Sequence, residues 1–443
     1  MMASQIGFTL LTLRIIGMFA MDFFRLRIGL RLLIVSLFSA CSVAQDDEGL
    51  FTLEISASET ARTNEVVTVM VPSDFEGDYV SLAGPGTQTI LGQLSSPGMF
   101  AGEANESGEK HRELTFVLPA LEAGKTLTLT AKQSREPGFS FQWQDNGKSQ
   151  AELLFDDRNV MTYMYTPLDE STDEKRAETY KVYHQVYSPS GDKLVTKGPG
   201  GKFPHHRGLF YGFNRLSYDG KKADVWHCKN GAYQSHENSL EHVAGPVFAR
   251  DRVEIAWRGM DGEPFATETR QMTAYKIGDA TMIEFNSHLE SLVGEIVMKG
   301  DPQHAGFQFR AAQSVAEDTA GKTFYIRPDG KGEPGKYRNW NANKSKMTEL
   351  DAKHVNLPWN AMNFWVGEDN YTCCYLDLDS NPKQSRFSER DYGRFGSYFE
   401  YVLTKETPLD LRYRIYLQDG EMTVEEIEAL SQSFRNPVEV TVR

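Results

Sequence analysis

The sequence predicts an all-β protein: an N-terminal β-sandwich of immunoglobulin-like size, then a large antiparallel two-sheet sandwich, with one short C-terminal helix. Three observations carry this. Short alternating or β-branched runs such as FTLEISAS, VVTVMVP and ELTFVLP recur, ended by proline or by Gly-rich and acidic turns. The same pattern continues through RVEIAWRG, ATMIEFNSHLES, HAGFQFRAAQ and LDLRYRIYLQ. A helical period is convincing only in MTVEEIEALSQSF, where Thr423 and Glu426 suit a capping box and the first turn is acidic. A chain of 443 residues exceeds one core of usual size, so two domains are expected, at 45–145 and 150–443.

The first 44 residues read as a secretory signal. Arg25, Arg27 and Arg31 precede the apolar run Leu32-Leu33-Ile34-Val35-Ser36-Leu37-Phe38, and Ser42-Val43-Ala44 offers small residues for cleavage after Ala44. The signal reads best from Met21. Phe38-Ser39-Ala40-Cys41 is a rival, a lipoprotein-like box that would anchor the chain through Cys41. The arginines interrupt any long apolar span, so no transmembrane segment is expected after cleavage, and the location implied is secreted or periplasmic. A formal net charge of -14 argues against a nucleic-acid partner, which requires a basic surface. Past Ala44 the cysteines are Cys228, Cys373 and Cys374, an odd set that suggests no disulfide framework. The Cys373-Cys374 pair sits in an apolar strand and reads as core.

Along the first module, KTLTLTAKQ places Leu127 and Leu129 on one face, the mark of a half-buried strand. Nothing there carries chemistry. After a junction at 144–170, DESTDEKRAE reads as a charged loop or short helix, and KVYHQVYSPSGDKLV as strand, turn, strand. GKGEPGKYRNWNANKSKM is a surface loop whose Tyr337 and Trp340 could lie over a ligand or simply pin the loop.

Chemistry concentrates in FPHHRGLFYGFNRLSYDGKKADVWH, residues 203–227. With only ten histidines in the chain, the gathering of His205, His206 and His227 in one run stands out. On a strand the adjacent histidines would face opposite ways, one lining a pocket and one supporting it. Arg207 suits bidentate recognition of carboxylate or vicinal hydroxyl groups. Asp224 can accept hydrogen bonds, Trp226 can stack on the apolar face of a sugar, and His227 can donate or ligate. DPQHAGFQFR places His304 and Arg310 on one face of a regular strand. ERDYGRFGSYFEY gathers Glu389, Asp391, Tyr392, Arg394 and Glu400 in what looks like a loop entering a strand, with a salt-bridged loop as the plainer reading of Glu389 and Arg394. Four histidines near carboxylates admit a metal, yet no HExxH or regular spacing favours one, so no cofactor is expected. The expected partner is a carbohydrate or another polar small molecule.

Taken together, FPHHRGLFYGF, DVWH, HAGFQFR and RDYGRFG resemble the PmoA-like family of secreted bacterial proteins, over roughly residues 150–430. The resemblance implies a galactose-mutarotase-like supersandwich, a fold shared by sugar epimerases, glycoside hydrolases and polysaccharide lyases. It therefore implies acid–base chemistry on a glycoside, uronide or free sugar. His206 or His304 would be the acid and Asp391 or Glu400 the base. His205, Arg207, Asp224, Trp226, His227, Arg310 and Tyr392 would hold the substrate. A non-catalytic carbohydrate-binding protein is the alternative, and the family label itself implies a metal-dependent oxidoreductase.

Overall fold

A computed structural model describes residues 49–72, 76–101, 111–301, 303–338 and 353–443, which fall within one compact unit, Glu48–Arg443. The expected signal segment, Cys41 and Trp340 lie outside the described residues. The protein is all-β, as its alternating runs predict.

The first sheet has seven strands, in the order Arg62–Pro72, His111–Leu121, Ile90–Ser95, Tyr79–Ala83, Thr126–Gln133, Phe51–Ser56 and Glu439–Val442. Burial alternates along Phe51–Ser56, so Phe51, Leu53 and Ile55 enter a core with Val80, Leu82, Leu114, Phe116 and Leu129. The last strand of this sheet comes from the far end of the chain. Conversely, Phe141–Asp145, expected in the first module, pairs with Gln150–Phe155 in the second assembly. The Asn146-Gly147 turn explains this, because Asn146 Oδ1 accepts from the amides of Lys148 and Ser149 and folds the chain back on itself.

The remainder is two sheets face to face, with a small four-stranded sheet beside them. The eight-stranded sheet includes Leu209–Phe213, Ala305–Arg310 and Arg394–Tyr398, and the nine-stranded sheet is built around Pro264–Ile277, Ala280–Ser291 and Leu409–Asp419. Between them lies an aromatic core in which Phe307 stacks on Phe285 at 4.0 Å and meets Tyr413 at 5.6 Å. Cys373 joins this core and Cys374 a second one, with Trp359, Ile427 and Phe434 under the C-terminal helix; both thiols are free and buried. That helix, Val424–Arg435, carries the capping box read from Thr423 and Glu426. The charged DESTDEKRAE run forms a short helix, Asp173–Thr179, capped by Thr172. Among the described residues no helix is long and apolar enough to cross a membrane.

The first sheet docks on the nine-stranded one through an apolar cluster, in which Val66, Leu91 and Val117 pack against Phe248, Tyr275 and Met282, and through polar side chains. Gln93 exchanges hydrogen bonds with the backbone of Phe248, and Arg250 pairs with Glu113 at 3.0 Å. The cavity along this seam, about 240 Å³, is lined by Glu113, Arg250, Glu284 and Arg414, whose charges pair with each other. It is a structural seam.

Candidate functional site

The site is built on the outer face of the eight-stranded sheet. In Ala305–Arg310, Ala305, Phe307 and Phe309 point into the core, which turns Gln308 and Arg310 outward. Leu209, Tyr211 and Phe213 point inward likewise, leaving Phe210 outside with Trp226 and Tyr183. Loops cover this outer face, so it is as dry as the inner one.

Glycines permit the cover. A Cβ on Gly212 would sit 3.0 Å from the Val225 carbonyl, so its absence lets the DVWH loop lie on the strand, where the amides of Val225 and Trp226 donate to Phe213 O. Gly208, at φ +43°, packs so closely that a Cβ would lie 1.9 Å from His184 O. Gly208→Ala is therefore expected to cost roughly 1–3 kcal/mol or more, from overpacking and left-handed strain, read as a lower urea midpoint.

His205 and His206 lie in a loop rather than on a strand, and their rings touch, centroids 4.2 Å apart. The loop folds back so that His205 reaches His227 (4.5 Å), which in turn meets His304 (4.9 Å). Ligand nitrogens of these three lie within 4.8 Å of one another. Two of the rings are held alike. Asp224 accepts from the amides of Trp226 and His227 through Oδ1 and from His227 Nδ1 through Oδ2, at 2.8 Å. Asp301 accepts from Gln303 N and from His304 Nδ1 (2.8 Å), while its Oδ2 accepts from Asn214 Nδ2. Each carboxylate thus fixes an imidazole so that Nε2 faces the cluster. Burial alone would raise the Asp301 carboxyl, but the hydrogen bond and charge of His304, helped by Asn214 and Gln303, hold it down at about 2.

A folded value below the unfolded 3.8 means that the stability due to Asp301 is complete above about pH 4 and is lost as pH falls through about 2. Asp301→Asn is expected to remove that part of the acid sensitivity, which urea midpoints measured between pH 2 and 5 would reveal.

His206 is different. It is almost fully buried, neither ring nitrogen has a hydrogen-bond partner, and it packs among Phe203, Phe210, Trp226 and Tyr392. Burial, reinforced by the charge of Arg394, pushes its pKa well below the usual histidine value. A ring held neutral in an aromatic box is a poor general acid, so the surroundings of His206 do not favour that assignment. His205 is also pushed down, to about 2, by burial first and then by the charge of Lys181.

Several expected ligand-binding groups are enclosed. Arg207 is buried beneath the loop and donates to the carbonyls of Glu178, Ala177 and Pro204, with Tyr180 4.3 Å from its guanidinium carbon. It closes the C-terminal end of the helix Asp173–Thr179, where a cation is favoured, and has no free edge for a ligand. Trp226 is fully buried against Phe210, so it cannot stack on a sugar. The exposed ring at this place is Phe203, held at φ +58° beside Tyr392.

The ERDYGRFG stretch is a hairpin, Arg386–Arg390 and Arg394–Tyr398, rather than a loop entering a strand. Its tip carries Tyr392 onto His206 and Arg310. Asp391 accepts from the Tyr392 amide in the turn. Glu400 is exposed and accepts from Tyr398 Oη, which also bonds to the Gly300 backbone next to Asp301. No contact joins either carboxylate to the imidazoles among the described residues, so neither base assignment gains support. Tyr337 sits on its loop near Arg390.

Sequence reasoning missed Asp301, Lys181 and Lys197, and read Arg394 as part of a salt-bridged loop. Lys181 staples the two loops by donating to the carbonyls of His205 and Trp226, and Lys197 donates to Gly198, Gly200 and His206. Burial pushes both ammonium groups down to about 8. Arg310 gives one nitrogen to the carbonyls of Ala311 and Tyr392 but leaves Nε and Nη2 buried and unpartnered. Arg394 donates to Gln308 and Ser388. Among the described residues these cations find only neutral acceptors. Alongside, a groove of about 450 Å³ reaches Asp224 and Asn214 between Arg215, Lys222, Lys229 and Lys299. The missed Asp301 had a signal: D-V-W-H and D-P-Q-H share one Asp-x-x-His spacing.

No curated protein matches the chain. Among solved structures it is similar to an alpha-mannosidase from Enterococcus faecalis V583, with a TM-score of 0.43, 8% identity, and coverage of 89% of this chain and 46% of that one. It is also similar to a protein in the glycosyl hydrolase family 38 from Enterococcus faecalis, with a TM-score of 0.38, 10% identity, and coverage of 89% and 47%. The chain thus spans less than half of either. Residues 150–432, well over half of the chain and the whole of the site, match the model of a family of unknown function, DUF6807, and the protein belongs to that family.

Proposed function

We propose that the protein is a secreted carbohydrate-active enzyme that takes an acidic sugar, a uronide, and acts on it by acid–base chemistry at the Asp-backed histidines. The observation that carries this is the meeting of two Asp–His pairs, Asp224–His227 and Asp301–His304, beside buried cations that lack carboxylate partners. An imidazole fixed by a carboxylate is a proton carrier with a set tautomer, suited to removing or delivering a proton near neutral pH. The partly exposed His304 takes this role in preference to the enclosed His206.

The substrate class follows from charge. Among the described residues Lys197, Arg310 and Arg394 lie under the site without an ion pair, and the neighbouring groove is rimmed by Arg215, Lys222, Lys229 and Lys299, although the chain as a whole is acidic. A polymer bearing carboxylates fits that local reversal of sign. Phe203 offers the apolar platform for a sugar ring.

The test is incubation of the protein, expressed from Gln45, with neutral and uronic-acid poly- and oligosaccharides, followed by mass spectrometry. A product from the acidic glycans alone is expected, and its mass separates hydrolysis from elimination. Thermal stabilisation by an acidic glycan with no product at any time would leave a binding protein instead.

A further inference from the structure

We propose that His205, His227 and His304 form a binding site for one divalent transition-metal ion of the zinc class, with its remaining position open to an anionic oxygen. The inference rests on the reading of this end of the sheet as the working pocket and changes the part His304 plays there: with an ion bound, its second ring nitrogen would be a ligand and could not also carry the proton, so the acid–base role proposed above belongs to the metal-free protein.

Three features carry it. Each residue offers an imidazole nitrogen, and these lie within 4.8 Å of one another. A tetrahedral zinc ion with bonds of about 2.0–2.1 Å would draw them to roughly 3.4 Å, a change within reach of side-chain rotation. Next, the Nδ1–H groups of His227 and His304 are engaged by Asp224 and Asp301, each at 2.8 Å. A carboxylate behind a ligating histidine is the usual support of such sites, because it fixes the tautomer and raises the basicity of the nitrogen facing the ion. Both carboxylates are themselves anchored, Asp224 by the Trp226 and His227 amides, Asp301 by Gln303 N and Asn214. Finally, His205 Nε2 is buried without a partner. Unpaired buried nitrogen is costly, and a metal bond would satisfy it.

Elsewhere in the fold, histidines have other work: His288 pairs with Asp410 on the surface, and His354 donates from Nδ1 to the Phe387 carbonyl in the buried hairpin. Imidazole-only ligation suits zinc, copper, iron or nickel and not calcium or magnesium. Three neutral ligands leave a net positive ion in surroundings that already hold Lys181 and Arg394. The two carboxylates behind the histidines offset part of this charge. An anion in the open position, hydroxide or a sugar carboxylate, would offset the rest. The side chains of His227 and His304 are 15% and 32% exposed, enough to leave the ion reachable from solvent.

The experiment uses the full chain, stripped with EDTA and titrated with Zn²⁺ by calorimetry and with Co²⁺ by visible absorption. One equivalent of each is expected, with the cobalt bands of a four-coordinate site. His227→Ala and His304→Ala should each abolish stoichiometric binding. Asp224→Asn and Asp301→Asn, which keep the ligands, should weaken it about 10–100-fold. His288→Ala should change nothing. Absence of stoichiometric binding to the unaltered chain overturns the site. So does binding that survives both His→Ala variants, or loss in variants whose thermal melts show them unfolded together with full affinity in the Asp→Asn pair. The sugar reading fails separately: zinc binds as expected, yet neither metal-loaded nor stripped protein converts any glycan. Conversion of a glycan by stripped protein that binds no zinc overturns the metal site alone.

Discussion

Replacing Glu389 with alanine is expected to lower the stability of the protein by about 3–5 kcal/mol, one of the largest losses any single substitution outside the aromatic core should produce. The carboxylate is fully buried. It accepts from Arg327 Nε at 2.7 Å and from Arg327 Nη2, from Asn360 Nδ2 at 2.8 Å, and from the Arg338 amide at 2.8 Å. Removing it leaves the Arg327 guanidinium charged in a dry interior, and this uncompensated charge is what makes the loss large. The pair itself need not be stabilising. The double variant Glu389→Leu with Arg327→Met should therefore recover much of the loss, and a double-mutant cycle in urea would show coupling well above 1 kcal/mol. Additive losses would mean that Arg327 reaches water when its partner is gone. The effect also bears on the site, because Glu389 lies on the hairpin strand that leads into Tyr392 and Arg394.

Glu389 also shows where sequence reading stops. Its salt-bridged character is legible in ERDYGRFG, but its partner lies 62 residues away, on a strand that reaches it only through the tertiary fold. Periodicity identifies strands, and it works well for the first sheet, where one face of Phe51–Ser56 is half-exposed and burial alternates. It cannot tell the two faces of Leu209–Phe213 apart, since all of its residues are buried. The functional face was hidden for that reason: loops covering it give it the same apolar signature as the core. Residue type still located the site. The scarcity of histidine marks HHRG and DVWH, and both reach the cluster. Residue type could not say which members are displayed. Arg207 and Trp226 look like ligand groups by chemistry, yet both are enclosed by the loop that carries them. The repeated Asp-x-x-His spacing was the more informative pattern, because an aspartate that starts a turn can accept from the following amides while gripping the histidine three residues on.

The second large effect concerns turnover. With an acidic glycan confirmed as substrate of the metal-stripped protein, His304→Ala is expected to reduce kcat about 10²–10⁴-fold, the usual range for removing a positioned proton carrier. His206→Ala should act mainly on stability, since it empties part of the aromatic box between Phe203, Phe210 and Tyr392. The contrast separates two neighbouring histidines by their surroundings alone: one backed by Asp301 and partly open to solvent, the other enclosed and without a polar partner. Asp301→Asn distinguishes proton carriage from mere shape. It keeps a hydrogen-bonding side chain next to Nδ1, but the carboxylate that fixes the tautomer and stabilises the protonated ring is gone. kcat should then fall while KM stays within a few-fold. A change in KM alone, with kcat in place, would reduce Asp301 to a prop for the loop and take His304 out of the chemistry.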